Sequence, residues 1–345
     1  MRSVLSFQCV VAGITAVVAC GSAVAATGTG GSDACPPRYA NEFQLYIEND
    51  KWSGTDRYYT NGIKFGFGTD AGTLASVLNA PSESLLRRIT DGGGCVQLGV
   101  FFGQNMYTPR RITVADPQLQ DRPWAAWLYV GGVAQRVEQA KLQTVEIDIG
   151  VVGPAALGRQ VQTEWHKLIG ADQPRGWGNQ IPNQPGLLLA YVEKHKFGSR
   201  HFEVVPHYGG SVGNVMTLAR AGGIVRWGEN MTGFGPDTIE PGGAMLQATR
   251  VQTGEPGKSG VEWYVFAGVD ARAVAYNIFL DGPWFRDSPS VERRVLVYDW
   301  TAGLSARVST VRLSVTRVHR SEEFTTPTRG GGPQTFYSFN IGVQF

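Results

Sequence analysis

Charge is scarce in this sequence. Asp, Glu, Lys and Arg make up 17% of its 345 residues, where about a quarter is usual. The net charge is only +2, so bulk electrostatics give no pointer to nucleic acid. Long apolar runs are also missing. Beyond the N-terminus no stretch is continuously apolar for the length that a spanning helix needs, so a membrane reading requires strands. Cysteine is limited to four positions, with no zinc-type Cys/His spacing and no Gly-rich phosphate loop carrying Lys. Gly213-Asn214-Val215-Met216 is no nucleophile elbow, and no Ser lies in a recognisable triad context. What the chain has instead is glycine, at 45 positions, and 11% aromatic residues. That composition suits strands and turns.

The N-terminus reads as an export signal over residues 1–26. Arg2 supplies the positive charge, Val10 to Val18 is apolar, and Ala23-Val24-Ala25 has the small-residue pattern of a cleavage site. A competing reading takes Val17-Val18-Ala19-Cys20 as a lipobox, with Cys20 lipidated; it ranks second. Cleavage after residue 25 or 26 leaves Cys35 and Cys95. Two cysteines in an exported chain suggest one disulfide, with two unpaired thiols as the plain alternative.

Residues 27–345 read as one all-β domain, without an internal repeat or a linker. Tyr337, Phe339, Ile341, Val343 and Phe345 alternate with small or polar residues up to the last position. This is similar to the closing strand of bacterial outer-membrane barrels. Phe43, Leu45 and Ile47 repeat the pattern, as do Ile63, Phe65 and Phe67, and Val145, Ile147, Ile149 and Val151. In a membrane barrel the apolar face meets lipid and the polar face lines the lumen, and closure satisfies every strand edge. The expectation is an antiparallel transmembrane β-barrel of about twelve strands, near 39–49, 60–69, 95–105, 124–137, 141–152, 186–197, 201–213, 215–228, 260–279, 292–304, 309–320 and 335–345. Two connections, 153–184 and 229–259, are long, and the second has room for an extra element. A periplasmic start puts 50–60, 106–123 and 153–185 at the outer end, and puts Cys35 and Cys95 together at the inner end.

Three polar clusters fall at that outer end. Glu48-Asn49-Asp50 is followed by Thr55-Asp56-Arg57-Tyr58-Tyr59-Thr60-Asn61-Gly62. Gln104-Asn105-Met106-Tyr107 leads through Arg110-Arg111 to Asp121-Arg122-Pro123. Gly150-Val151-Val152-Gly153-Pro154 leads to Gln162 and then Trp165-His166-Lys167-Leu168-Ile169-Gly170-Ala171-Asp172. Read from residues alone, Asn49-Asp50 is an ordinary turn, a lone loop His is usually just solvated, and Asp56-Arg57 and Asp121-Arg122 are ion pairs inside the barrel. Trp124, Trp127 and Tyr129 read as an interfacial aromatic girdle.

Taken together, these motifs make the chain resemble the LpxR-type outer-membrane lipid A deacylases, from about Ala40 to the C-terminus. The resemblance implies a twelve-stranded barrel and calcium-dependent hydrolysis of the 3′-linked acyloxyacyl group of lipid A in lipopolysaccharide. Carried over residue by residue, it implies His166 as general base, with Asn49, Asp50 and Thr60 in the catalytic group. Asp50, Asn49 and Asp172 would hold Ca2+. The family's acid six residues after the His is Glu, and here it is Asp172, which has the shorter reach. Arg110 and Arg111 would meet the substrate phosphates, although they sit closer to Pro109 than the family's basic pair does. Outer-membrane lipids are the expected surroundings, and no obligate protein partner is evident. The competing readings are a non-enzymatic porin or channel, and an outer-membrane phospholipase.

Overall fold

A computed structural model of the protein describes residues 41–70, 95–137, 140–240, 246, 261–327 and 331–345. The export signal, Cys20, Cys35 and hence the proposed Cys35–Cys95 bridge lie outside the described residues. The twelve alternating segments form twelve long strands: β1 (Glu42–Asn49), β2 (Tyr58–Asp70), β3 (Cys95–Thr108), β4 (Ala125–Val137), β5 (Lys141–Val152), β6 (Gln184–His195), β7 (Phe202–Gly213), β8 (Met216–Glu229), β9 (Glu262–Asn277), β10 (Leu296–Val308), β11 (Val311–Arg320) and β12 (Gln334–Gln344). Each pairs antiparallel with its neighbour in sequence. β12 returns to β1 with Phe43 opposite Val343 and Leu45 opposite Ile341, so the sheet closes and leaves no free edge.

The period of two decides which way each side chain points. Phe43, Phe65, Phe67, Val145, Ile147, Ile149 and Ile341 are exposed on the outer face. Gln44, Glu48, Lys64, Glu146, Asp148 and Asn340 are buried in the interior. Water would penalise so continuous an apolar belt, whereas hydrocarbon accepts it. One interior pair of opposite charges is formed by Lys64, which donates to Glu146 at 2.8 Å between β2 and β5.

The lumen is filled, and part of the filling comes from the long connection after β8. Phe234 packs with Val137, Leu142 and Val205 near the end at which the chain enters and leaves the barrel. Farther along, Ile239 packs on Tyr46 and its N–H donates to Glu48 at 2.9 Å. Glu240 accepts from the Tyr107 hydroxyl and pairs with Arg320 and Arg272. Glu48, Tyr107 and Arg320 all sit at the outer ends of their strands, so residues 234–240 climb much of the barrel's height inside it. Alternation could not reveal this plug, because Phe234 and Ile239 belong to no strand. With the interior so occupied, the purified protein is expected to show no large steady conductance in planar bilayers. Porin-sized open-state currents would overturn that expectation.

The aromatic girdle is not where the sequence put it. Trp127 and Tyr129 point inward and stack at 4.1 Å, and Trp124 is covered by Trp177. Strand parity does turn Trp124 outward, but the connection after β5 folds over it. The exposed tryptophans are elsewhere: Trp227 and Trp263 meet edge-to-face at the inner end, and Trp52, Trp165, Trp284 and Trp300 lie toward the outer end.

Candidate active site at the outer rim

The site is built on the lipid-facing side of the wall, and two local devices place it there. The first is a β-bulge. Tyr59 pairs with Tyr107 and Asn61 with Met106, which leaves Thr60 as the extra residue. Tyr59 turns into the lumen and donates to Glu48 at 2.7 Å. A regular strand would put Thr60 on the inward row with Gly62 and Lys64. The bulge instead aims its hydroxyl at Asp50 Oδ1, 3.1 Å away, and Asp56 Oδ1, 2.9 Å away.

The second device is a helix laid against the wall. Gly153 leaves β5 with φ +99°, and any Cβ there would strike the Pro182 backbone at 2.7 Å, so only glycine makes this exit. Pro154 then opens a short 3-10 turn, and α1 follows over Gly158–Ile169. One face of α1 carries Gly158, Gln162 and His166 at four-residue spacing, and all three are buried. Gly158 lets the helix approach the wall: a Cβ there would lie 2.5 Å from that of Ala126. Met106, Ile112, Trp124, Ala126, Ala156 and Trp177 form the apolar seam between the wall and this cover.

The helix ends at Gly170 in the left-handed conformation, and Ala171 N–H returns to the His166 carbonyl at 2.9 Å. That reversal brings the Asp172 carbonyl oxygen to His166 Nδ1 at 2.5 Å. A carbonyl can only accept, so Nδ1 carries the proton and Nε2 of the neutral ring is left with its lone pair. The string His-X-X-Ile-Gly-Ala is therefore both a helix stop and a tautomer clamp. Nε2 faces Asp56 Oδ2 at 3.4 Å. Gln162 reaches Asp56 Oδ1 at 3.4 Å and is itself fixed by Trp177 Nε1 at 2.8 Å.

Asp50 is held from several sides, by Arg57 N–H at 2.7 Å, Thr55 Oγ1 at 2.8 Å and Thr60 Oγ1. Burial pushes its carboxyl up to about 7 against these hydrogen bonds, and the charge of Asp56 adds to the rise. Thr60 has one hydroxyl proton and lies between two carboxylates, so the donor set is short of positive charge and consists of hard oxygen atoms.

The structure thus brings together His166, Asp50 and Thr60 from the expected group. Asn49 is adjacent, but its Oδ1 accepts from Lys51 N–H at 2.7 Å and caps the turn. Asp172 contributes its main chain to His166, and the residue is otherwise exposed. Arg110 turns to the Tyr58 hydroxyl and the Gly331 carbonyl, both at 3.3 Å. Arg111 is exposed. Two corrections follow. Asp56 is no internal partner of Arg57; it faces His166. Arg122 pairs with Glu323 at 2.7 Å, while Asp121 accepts from the Arg110 and Arg122 amides. Gln162, which the sequence placed in the third polar cluster without a role, gains one here: it lies one helical turn before His166 and reaches Asp56.

The family model for the outer membrane protein LpxR matches residues 10–345. The chain belongs to the LpxR family. LpxR from Salmonella typhimurium is similar in fold, with a TM-score of 0.70 at 22% identity over 88% of this chain and 100% of that one. The β domain of the Bordetella autotransporter BrkA matches at TM-score 0.42 and 11% identity, over 89% of this chain and 98% of that one. The translocator domain of the autotransporter NalP from Neisseria meningitidis matches at 0.37 and 8%, over 99% and 97%. The comparison with curated proteins gave no significant match. Membership of the LpxR family makes this an outer-membrane protein, and the apolar belt of β1–β12 is the surface that meets its lipid.

Proposed function

We propose that this LpxR-family barrel is a lipid A deacylase that hydrolyses the ester of the 3′-linked acyloxyacyl group of lipopolysaccharide, with His166 as general base. One observation carries the reading: a histidine with a fixed tautomer presents Nε2 beside a carboxylate, on the lipid side of the wall at the outer rim. A soluble substrate would be served as well by a site in the lumen. A lipid ester is reached from the membrane.

The chemistry follows from the two acceptors. A water held between His166 Nε2 and Asp56 Oδ2 gives one hydrogen to each, which leaves an oxygen lone pair free to attack. Nε2 takes the proton as the new C–O bond forms, and Asp56 stabilises the resulting imidazolium. The same proton then passes to the departing sugar oxygen as the ester C–O bond breaks. The products are a free acyloxyacyl acid and a 3′-hydroxyl. Gln162 holds Asp56 in place, and Trp177 holds Gln162.

The oxygens of Asp50, Asp56 and Thr60 fit a hard cation, and we assign them, rather than Asn49 and Asp172, as its holders. Calcium bound there would polarise the ester carbonyl and offset the two carboxylate charges. Arg110 and Arg111 remain candidates for substrate phosphate, Arg111 with the freer side chain.

The test is mass spectrometry of lipid A from cells making the wild-type protein, followed by assays of the purified barrel. A species lacking the 3′ group is expected, with activity falling about tenfold or more in excess chelator and returning with added calcium. Unchanged lipid A would overturn the function. Turnover of glycerophospholipids alone would move it to a phospholipase. Full activity in chelator would remove the metal while leaving the base intact.

A further inference from the structure

The lipid-facing surface of β1–β5, below the site, is not a uniform belt. It contains an open groove of about 550 Å³, within the size range of clefts that hold small organic ligands. One bank is a continuous aromatic row across β1, β2 and β3, with Phe43 6.4 Å from Phe65 and Phe65 5.6 Å from Phe102. The other bank is aliphatic, from Ile147 and Ile149 on β5. Between them lies Gly132 on β4, in register with Val100 and Ile147.

Two adjacent glycines at this point have different causes. At Gly131 a Cβ would strike the inward Phe101 ring at 2.3 Å, so packing demands glycine. At Gly132 a Cβ would meet only the Gly99 carbonyl and Ile147 Cγ2, both at 3.8 Å. That is ordinary contact, and its backbone needs no left-handed φ. The fold does not require glycine at 132; its effect is to leave the groove open.

The groove is joined to the site. Leu128, four residues before Gly132 on the same face, packs with Val151 against the seam under α1. Five residues separate Thr60 from Phe65, about 17 Å along the strand. With a tilt near 45° this is a descent of roughly 12 Å, still within the outer half of a core about 30 Å thick. An ester placed at His166 therefore sends its chain down this part of the wall.

Lipid tails are as apolar as the groove, so a free lipid gains little by entering. A chain already tethered by its ester is different, because its local concentration at the groove is set by the tether. It is then selected by shape. We propose that this groove seats the acyl chain of the lipid cleaved at His166, and that the open position at Gly132 sets how long a chain is taken. The identity of the lipid rests on the deacylase reading; the seating of a chain is testable without it.

Two variants separate the cases. Gly132→Phe fills the groove. Ala302→Phe adds the same bulk to an exposed position on β10, on the far side of the barrel. In detergent, kcat/KM is measured on lipid A species with long and short 3′ chains. The long-over-short ratio is expected to fall about tenfold or more in Gly132→Phe and to stay at the wild-type value in Ala302→Phe. In parallel, lipid A with a diazirine near the end of its 3′ chain is photolysed on each protein, and the labelled peptides are mapped. Wild type and Ala302→Phe are expected to label the peptides holding Phe65–Phe67 and Val100–Phe102, and Gly132→Phe to lose that label. An unchanged ratio, or label spread evenly around the barrel in wild type, overturns the proposal. The labelling needs no turnover, so a barrel with no deacylase activity still decides the groove while the functional reading fails by itself.

Discussion

His166→Ala is expected to lower kcat for lipid A deacylation by about a thousandfold, in the range usual for loss of a positioned general base, with KM little changed. Nothing else described near Asp56 Oδ2 presents an unprotonated nitrogen. Gln162 Nε2 faces the other oxygen as a donor. Thr60 also reaches Oδ1, and Asp50 is already enclosed by donors from Thr55, Arg57 and Thr60. Water can still enter, but no group takes its proton. The substitution leaves the fold in place, because the barrel is held by strand pairing and α1 is seated by Gly158 and Gln162. Steady-state kinetics on purified protein read the result, and a loss smaller than tenfold would remove His166 as the base.

Asp172→Ala gives the counterpart. The bond to Nδ1 comes from the Asp172 main chain, which alanine keeps. Near-wild-type activity is expected, even though this position carries the acid that the resemblance offered as a metal ligand. A large loss would return the carboxylate to the site.

These two outcomes mark where the sequence stopped being legible. All twelve strands could be read from alternation, because burial on one face writes its period directly into the chain. Outward Phe65 and inward Lys64 follow from that rule alone. The rule gives the direction of a side chain but not what covers it. Trp124 points outward as parity requires, yet Trp177, from a connection read only as long, lies over it. Thr60 shows the opposite limit. A single extra residue on β2 shifts the pattern at the one place where the site needs it, and Tyr59-Thr60-Asn61 carries no local mark of a bulge. His166 was found through a motif whose physical content, a helix stop that bends the chain back, emerges only with α1 in place. Asp56 was set aside because its neighbour in sequence is an arginine, while two of its partners in space, Gln162 and His166, are more than a hundred residues away. Contacts of that range leave no trace in a single sequence.

Asp56 is therefore the sharper test of the arrangement. Asp56→Asn keeps the size of the side chain and can still accept from Thr60. It removes the charge that stabilises the imidazolium, and it places an amide where a donor can occupy Nε2. A carboxylate that also fixes the tautomer of its histidine is worth about 10⁴ in kcat in the serine-protease triad. Here the Asp172 carbonyl fixes the tautomer, so that share of the loss is spared, and a fall of about 10² is expected. It should appear in kcat, with KM close to wild type, because Asp56 touches the water rather than the lipid. Undocking of α1 would give a different signature, with KM raised and the 153–184 connection opened to protease. Gln162 keeps its bond to Trp177 in this variant, so the protease pattern should match wild type. If Asp56→Asn retains more than about a third of wild-type kcat, its carboxylate is only a surface neighbour of His166, in the way that exposed ion pairs often contribute little. A fall of the expected size with an intact loop, and not restored by raising calcium, makes Asp56 the group that completes the base; restoration by calcium assigns the loss to the metal instead.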